Sequence, residues 1–418
     1  MPAAFSVLTR NRDFRRLFAA ELVVFGADWF VMVPLLVLLP ELTGGGTLGA
    51  MVLAADTGIL ALLLPWTGTI ADRVDRRKIL IVANAAAFLS VLLLFAVRSA
   101  ATAPLALVAV GAIAVSKAFY SPAASAALPN LVDPEDLAAA NTIAGSAWGT
   151  MTVVGASLGG VVSSAFSPYA CFAVTAVLLL TGSLLTALIR RPMQAPRSGG
   201  GEPARTLPAL LESLRYIGGR PRLRALVTVK SAVGLGNGVL TVFPLIAAAH
   251  GVGALGAGLL FALRGAGALV GPLVMRPVLN RPSWLLPGLA LSMGLYGIGY
   301  LGVAFTPWFP LVAALVFVAH FAGGSNWVLS NFALQGEVPD ALRGRVFATD
   351  MMLATLAIAV SQLLAGAAID RVDSRWIIAG CASITLTYAI GWRIATRRLR
   401  PSAEPTFGIT GTGELPPK

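Results

Sequence analysis

Seven ionisable side chains stand inside long apolar stretches of this 418-residue chain. In a stretch that crosses a bilayer, a charged group costs about 2.5–3.5 kcal/mol on insertion scales, so such groups are rare unless they have a task. A carboxyl removed from water takes up a proton more readily, which lets it bind and release a proton near neutral pH. The first candidates for chemistry are therefore the acids Glu21, Asp28, Asp56 and Asp350 and the bases Lys117, Lys230 and Arg264.

Asp28 lies midway through the first apolar stretch. Glu21 precedes it by seven residues, which is two helical turns on one face of a helix. We predict that Asp28 is a proton-coupling site with Glu21 as a relay, and that Asp56 is a further candidate. Two alternatives stay open for Asp28: a static ion pair with Lys230 or Arg264, or direct contact with a substrate.

The basic residues have more than one interpretation. Lys117 and Arg264 lie near the middle of their stretches, where each could attract an anionic substrate or offset a carboxylate. Lys230 lies nearer the inner surface and is expected to extend towards it, and Asp350 is expected to face water. Further candidates for a substrate site, each with ordinary packing as the alternative, are His320, Asn237, Asn326, Trp29 and Phe243.

The elements that carry these residues are membrane-spanning helices. The chain is 57% hydrophobic and only 12% charged, with a mean hydropathy of +0.80, whereas soluble proteins carry about 25% charged residues. Roughly 20 apolar residues suffice for a helix to cross the hydrocarbon core. Stretches of that length predict an all-α membrane protein with spans near 16–40, 47–70, 79–99, 104–126, 138–164, 169–189, 223–248, 253–276, 283–305, 308–334, 345–368 and 376–396.

The positive charge is distributed unevenly. With the N-terminus inside, most lysines and arginines fall in the inner segments, whereas Arg98, Arg371 and Arg375 are the ones in outer loops. Because basic residues mark the cytoplasmic side, both termini are predicted to be cytoplasmic. The net charge of +12 then indicates topology and contact with anionic lipid, not binding of nucleic acid.

A break in the apolar pattern divides the chain into two six-span halves. Residues 1–189 are predicted to form the first bundle and residues 223–400 the second. The Pro-, Gly- and Arg-rich segment 190–222 reads as a cytoplasmic linker, with a short amphipathic helix at 208–219. The tail 401–418 is predicted to be disordered.

One charged pattern occurs twice. Residues 68–77, Gly-Thr-Ile-Ala-Asp-Arg-Val-Asp-Arg-Arg, follow the second span, and Gly-x-x-x-Asp-Arg-Val-Asp returns at 366–373 after the eleventh. An inverted three-plus-three repeat within each half would place equivalent loops on opposite faces in this way. Chance is the alternative, since Asp-Arg is common after an apolar run.

The pattern at 68–77 resembles the loop signature of the major facilitator superfamily. The layout of six spans, linker and six spans adds to the resemblance, as does the glycine-rich stretch 155–160. Residues 339–347, together with 12–17, look like the bacterial branch that includes enterobactin exporters and macrolide efflux pumps. The resemblance implies two pseudo-symmetric six-helix bundles.

In that family the loop latches the two halves in the outward-facing state against the start of helix eleven. The implied gating residues are Gly68, Asp72, Arg73, Arg76 and Arg77, with Arg343 and Arg345 as partners. If the loop only marked the cytoplasmic side of the membrane, that would explain its arginines but not the spacing of its glycine and aspartate. Asp75 stands where the family usually has glycine, and we expect it to pair with a neighbouring arginine.

The resemblance implies a secondary active transporter, and specifically a proton-coupled antiporter. It would export a lipophilic or amphipathic small molecule, such as a drug or siderophore, across the bacterial inner membrane. The proton gradient would be its energy source, without cofactor or metal, and the protein would be monomeric. The alternatives are a metabolite importer or uniporter, and a lipid flippase or transporter-like sensor. The sequence contains no serine–histidine–acid set or nucleotide loop that would indicate an enzyme.

Overall fold

The computed structural model describes residues 2–194, 206–275, 277–278 and 281–399, and in this part of the chain every regular element is helical. The α-helices are α1 Pro2–Arg10, α2 Arg12–Thr43, α3 Thr47–Arg73, α4 Arg76–Leu93, α5 Leu105–Leu131, α6 Leu137–Ala165, α7 Pro168–Ala187, α8 Thr206–Gly218, α9 Pro221–Gly236, α10 Phe243–Ala249, α11 Gly253–Met275, α12 Pro282–Phe305, α13 Phe309–Glu337, α14 Asp340–Ala368 and α15 Ser374–Thr396. The predicted tail 401–418 lies outside the described residues.

Eleven helical segments of the described residues are long and apolar enough to cross a membrane. The segment Pro221–Ala249 is one of them, and it joins α9 and α10 through a 3-10 helix at Asn237–Val242. Helix α6, with 29 residues, is a twelfth helix of matching length. Large apolar side chains such as Leu62 and Leu273 are exposed on the outside of the protein, which suits contact with lipid.

The helices form two bundles whose packing repeats. In the first half α2 packs on α6 and α7, α3 packs on α5, and α4 packs on α5 and α7. The equivalent pairs recur in the second half: α9 with α14 and α15, α11 with α13, and α12 with α13 and α15. The halves meet through α3 with α14 and α6 with α11. The predicted fold of two pseudo-symmetric six-helix bundles is confirmed.

Successive spanning helices alternate in direction, which defines two faces. The terminal face carries the start of α2, the turn between α3 and α4, and α8. The opposite face carries the turns at 43–47 and 368–374. Near the opposite face the two halves touch backbone to backbone, because a Cβ on Gly160 would come within 2.8 Å of the carbonyl oxygen of Ala254 and 2.9 Å of Gly258 Cα. Glycine allows this close crossing.

Two short helices lie at the terminal face. Helix α8 occupies the position predicted for the amphipathic helix, and its Glu212 pairs with Arg345 of α14 at 2.8 Å. Helix α1 was not predicted. Its end is held to the turn before α6, where Asp136 accepts hydrogen bonds from Arg10 and, at 2.7 Å, from Asn11.

Candidate functional site

The centre of the first bundle contains a lysine between two aspartates. Lys117 of α5 donates to both carboxylate oxygens of Asp28 on α2, at 2.8 and 2.9 Å, and to both of Asp56 on α3, at 3.0 and 3.1 Å. The three side chains are only 14–22% exposed. We call these three residues the acid–lysine cluster. It brings together three residues that the sequence marked separately.

The charge of the acid–lysine cluster does not balance. One ammonium faces two carboxylates, so the fully ionised cluster carries one net negative charge. The two carboxylates repel each other, whereas the ammonium between them attracts both. A single proton taken up by Asp28 or Asp56 makes the cluster neutral. The arrangement can therefore exchange one proton without losing its lysine.

The alternative of a static ion pair between Asp28 and Lys230 or Arg264 is wrong, because Asp28 is paired with Lys117 of its own half. Lys230 instead pairs with Asp350 of α14, and both side chains are fully buried. Lys230 also donates to Asn331 of α13 at 2.8 Å. This overturns the expectations that Lys230 extends to the surface and that Asp350 faces water.

An aromatic group joins the two halves beside the acid–lysine cluster. Trp29, which follows Asp28 on α2, packs against Phe261 of α11 with ring centroids 5.2 Å apart, and Phe261 packs against Phe243 at 5.1 Å. The guanidinium of Arg264 lies 4.9 Å from the centre of the Trp29 ring. A cation and three aromatic rings thus meet where the bundles face each other.

Three other predicted residues make local contacts. His320 shares a 2.7 Å hydrogen bond with the hydroxyl of Tyr300. Asn326 donates to the hydroxyl of Ser292 at 3.0 Å, which ties α13 to α12. Asn237 donates to the carbonyl of Val233 at 2.9 Å where α9 gives way to the 3-10 helix. Each contact pairs a buried polar atom inside the second bundle, although the Oδ1 atom of Asn326 has no hydrogen-bond partner among the described residues.

Glu21 is buried on α2, with 7% of its surface exposed. Within the described residues its Oε2 atom has no hydrogen-bond partner. It lies two helical turns before Asp28. Glu21 and Asp28 are therefore separate sites on one side of the same helix.

The loop at 68–77 is a helix end followed by a tight turn. Arg76 donates to the carbonyls of Ala126 at 2.8 Å and Met193 at 3.1 Å, and Arg77 donates to that of Arg191 at 3.3 Å. These contacts hold the loop to its own half. Gly68, Asp72 and Arg73 lie at the end of α3, and the side chain of Asp72 is outside the described residues. A latch from Asp72 to Arg343 and Arg345 stays a prediction.

Asp75 explains why glycine is unnecessary at its position. Its φ of −58° is ordinary, and its carboxylate accepts from the backbone N–H of Arg77 at 2.9 Å, which caps the start of α4. Asp75 therefore bonds to the backbone of Arg77 and not to a guanidinium as expected. The second copy repeats this geometry, since Asp373 accepts from the N–H of Arg375 at 2.9 Å and caps α15.

The second copy also joins the two halves at the opposite face. Asp370 accepts a hydrogen bond from the N–H of Gly46 at 2.6 Å and two more from Thr47, whose hydroxyl also bonds to the carbonyl of Gly366 at 3.0 Å. Although partial burial acts to raise it, the hydrogen bonds from Thr47 and Gly46 and the charge of Arg371 hold the pKa of Asp370 below its ordinary value of 3.8. We call these contacts the Asp370 latch.

Sequence reasoning missed the partners of this latch and one contact below it. Thr57, next to Asp56, donates to the side chain of Gln362 across the halves at 2.6 Å. The sequence contained two signals for these contacts. Gln362 is an isolated amide within an apolar stretch, and residues 44–46 are three consecutive glycines, where a Cβ on Gly45 would come within 2.8 Å of the Asp370 carboxylate.

Comparisons with known proteins agree with this architecture. The family model of the Major Facilitator Superfamily matches residues 17–290 and 231–413. A search of curated proteins finds no match.

Several solved structures share the fold. An auto-inhibited peptide transporter of the POT family has a TM-score of 0.73 and 12% identity over 94% of this chain and 99% of that chain. The nucleoside transporter NupG has a TM-score of 0.71 and 13% identity over 92% of this chain and 99% of that chain. The human organic anion transporter MFSD10 has a TM-score of 0.62 and 18% identity over 91% of this chain and 99% of that chain. The chain belongs to the major facilitator superfamily and is a membrane transporter, not an enzyme.

Proposed function

We propose that this protein is a proton-coupled antiporter that exports a lipophilic or amphipathic small molecule by alternating access. The observation that carries the proposal is the pairing of Lys117 with both Asp28 and Asp56. The cluster carries one excess negative charge in a membrane interior, where charge is costly, and one bound proton makes it neutral. Proton binding and release at this cluster is the coupling step.

Coupling requires that the proton and the substrate influence each other. The acid–lysine cluster and the aromatic group share α2, since Asp28 and Trp29 are consecutive residues. Phe243 and Phe261 are fully buried, so a substrate that bound here would have to part the aromatic group and move Trp29, together with the turn of α2 that carries Asp28. Substrate binding at the aromatic group and proton binding at Asp28 would then affect each other.

Alternating access requires closure at one face at a time. The Asp370 latch and the contact of Gly160 with Gly258 close the opposite face. The matching latch of Asp72 with Arg343 and Arg345 would close the terminal face in the other half of the cycle. Both use a carboxylate at the end of one helix and the start of a helix in the other bundle.

The distribution of basic residues supports the orientation. Arg12, Arg15 and Arg16 at the start of α2, and Arg76 and Arg77 at the start of α4, all lie at the terminal face. We place this face in the cytoplasm of a bacterial cell, against the anionic lipids of the inner membrane. The protein would act there as a monomer.

The experiment uses everted vesicles that contain the full chain. A thermal-shift screen against ethidium, erythromycin, a catecholate siderophore and lysophosphatidylcholine first identifies a compound that binds. Added to vesicles that hold a proton gradient, that compound should discharge the gradient, and Asp28→Asn should abolish the response. Uptake without proton movement would instead establish a uniporter. Binding without transport would establish a sensor, and either outcome overturns the proposal.

A further inference from the structure

The first bundle contains a small cavity next to the acid–lysine cluster. The cavity has a volume of about 30 Å³ and lies between α2, α4, α5 and α7. Its walls include Asp28 and Lys117 together with Asn84, Tyr120 and Thr175. We call this space the N-bundle chamber.

Three polar groups of the chamber wall are buried without a protein partner. They are the Nδ2 atom of Asn84, the hydroxyl of Tyr120 and the hydroxyl of Thr175, and no hydrogen-bonding group of the described residues reaches them. The three side chains are 1–2% exposed. Most buried polar atoms in folded proteins have a partner. Three exceptions around one cavity indicate that something polar occupies it.

The size of the chamber identifies the occupant. A water molecule needs about 10–15 Å³ of such volume and two to four polar partners. About two waters therefore fit, and the amide and the two hydroxyls supply their hydrogen bonds. Much of the wall is apolar, and an entirely apolar cavity would remain dry, but this wall also contains Asp28 and Lys117.

Glu21 lies on α2 one turn before the chamber wall. It is not itself part of the wall, but it shares a face of α2 with Val24 and Asp28, and both of these line the chamber. Seven residues of helix separate Glu21 from Asp28 by about 10 Å. Hydrogen-bonded oxygens lie about 2.8 Å apart, so two waters and the Tyr120 hydroxyl suffice to join the two carboxyls.

We propose that the N-bundle chamber holds a short chain of water molecules that carries protons between Glu21 and the acid–lysine cluster. Asn84, Tyr120 and Thr175 are its positioning residues. The proposal rests on the proton coupling proposed above, and it supplies the route by which a proton reaches Asp28.

Each transfer conserves atoms and charge. The carboxyl of Glu21 gives its proton to the first water, that water gives one of its own to the next oxygen, and the last water protonates the carboxylate of Asp28. The titratable groups that face the route are Glu21 and Asp28 from α2, Asp56 from α3, and Lys117 and Tyr120 from α5. From α4 and α7 the described groups are the neutral Asn84 and Thr175.

Gly182 of α7 lies beside two residues of the chamber wall. A Cβ at this position would lie 3.2 Å from Val24 Cγ2 and 3.4 Å from the Nδ2 atom of Asn84. A larger side chain here would enter the space beside Asn84. Gly182→Val is therefore a blocking variant that leaves every ionisable group in place.

A structure of the full chain at a resolution that shows water tests the occupant directly. Two ordered waters bonded to Asn84, Tyr120 and Thr175 are expected. A dry chamber overturns the proposal, whatever the outcome of the vesicle experiment.

Infrared spectroscopy after a pH jump tests the route without a substrate. The carboxyl bands of Glu21 and Asp28 are identified as those lost in Glu21→Gln and Asp28→Asn. We expect the rate at which the Asp28 band responds to fall by a factor of about ten or more in Tyr120→Phe and Gly182→Val. Unchanged rates in both variants overturn the proposed route. An Asp28 band that never responds in the unsubstituted protein contradicts proton coupling itself.

A matched control separates the route from general packing. Tyr169 donates its hydroxyl to the carbonyl of Val97 at 2.6 Å and is not part of the chamber wall. Tyr169→Phe removes the same chemical group as Tyr120→Phe. It should keep the response rate of the unsubstituted protein, and a slow response in it would attribute the effect to loosened helices and overturn the assignment.

Discussion

Asp370 accepts a hydrogen bond from the backbone N–H of Gly46 at 2.6 Å, although the two residues belong to different halves of the molecule. The carboxylate reaches the free N–H groups at the start of α3, where the helix dipole favours a negative charge. The sequence predicted such a contact for Asp72 at the terminal face. Its second copy makes the contact at the opposite face.

Asp370→Ala should shift the protein towards a form that is open at the opposite face, because three hydrogen bonds across the halves are lost. Spin labels at Ala101→Cys and Phe305→Cys, one in each half at that face, report the change as a longer distance. Cys171 and Cys381 are buried and can be replaced to remove background. An unchanged distance distribution would show that the latch does not hold the closed form.

The same distance should depend on pH only in strong acid. The latch needs the ionised carboxylate, and the pKa of Asp370 lies below 3.8. The latch therefore contributes fully at any pH above the ordinary pKa of an aspartate, and its contribution is lost as the pH falls through the lowered pKa of Asp370. We expect a constant distance from about pH 5 to 8 and opening only below about pH 4. Opening near neutral pH would show that another titratable group controls the closed form.

Lys117→Met should destabilise the protein more than Asp28→Asn or Asp56→Asn. Removal of the lysine leaves two neighbouring carboxylates without a cation, whereas removal of one carboxylate leaves a matched pair. The loss on breaking a buried pair is roughly 3 kcal/mol or more. Melting temperatures of the purified variants give the order, and an equal loss for all three would argue against a shared cluster.

Lys230 and Asp350 should behave as one structural unit. Lys230→Met or Asp350→Leu alone leaves a fully buried charge and should cost about 3–5 kcal/mol. The double variant removes both charges and should recover most of that loss. A double-mutant cycle on unfolding measures the coupling. Additive losses would mean that the pair makes no specific contribution.

Gly160→Ala should impair closure at the opposite face, since its methyl group would overlap the backbone of α11. Gly145 lies on the same helix, and a Cβ at that position would have no neighbouring heavy atom within 4 Å. Gly145→Ala is therefore the matched control. In the control, alanine should slightly favour the helix. The spin-label distance across the opposite face should be longer in Gly160→Ala than in Gly145→Ala. Equal distances would show that the contact at Gly160 does not contribute to closure.

Local patterns in the sequence were sufficient for much of the fold. Apolar length marked the spans, and the repeated Asp-Arg pattern marked two equivalent turns, which Asp75 and Asp373 cap in the same way. The partners of the charged residues were not accessible, because Lys117 lies 89 residues from Asp28 along the chain. Their meeting depends on how α2, α3 and α5 pack, which hydrophobic periodicity leaves open. Asp350 was misjudged for the same reason, since its depth depends on α9.

The crossing of α6 and α11 at Gly160 and Gly258 has an entropic consequence. Glycine has no side-chain rotamers, so separating this contact releases no side-chain entropy and closing it costs none. At these two positions the helices can part or meet with no change in side-chain freedom. One added methyl group would introduce both a steric and an entropic term where neither exists now.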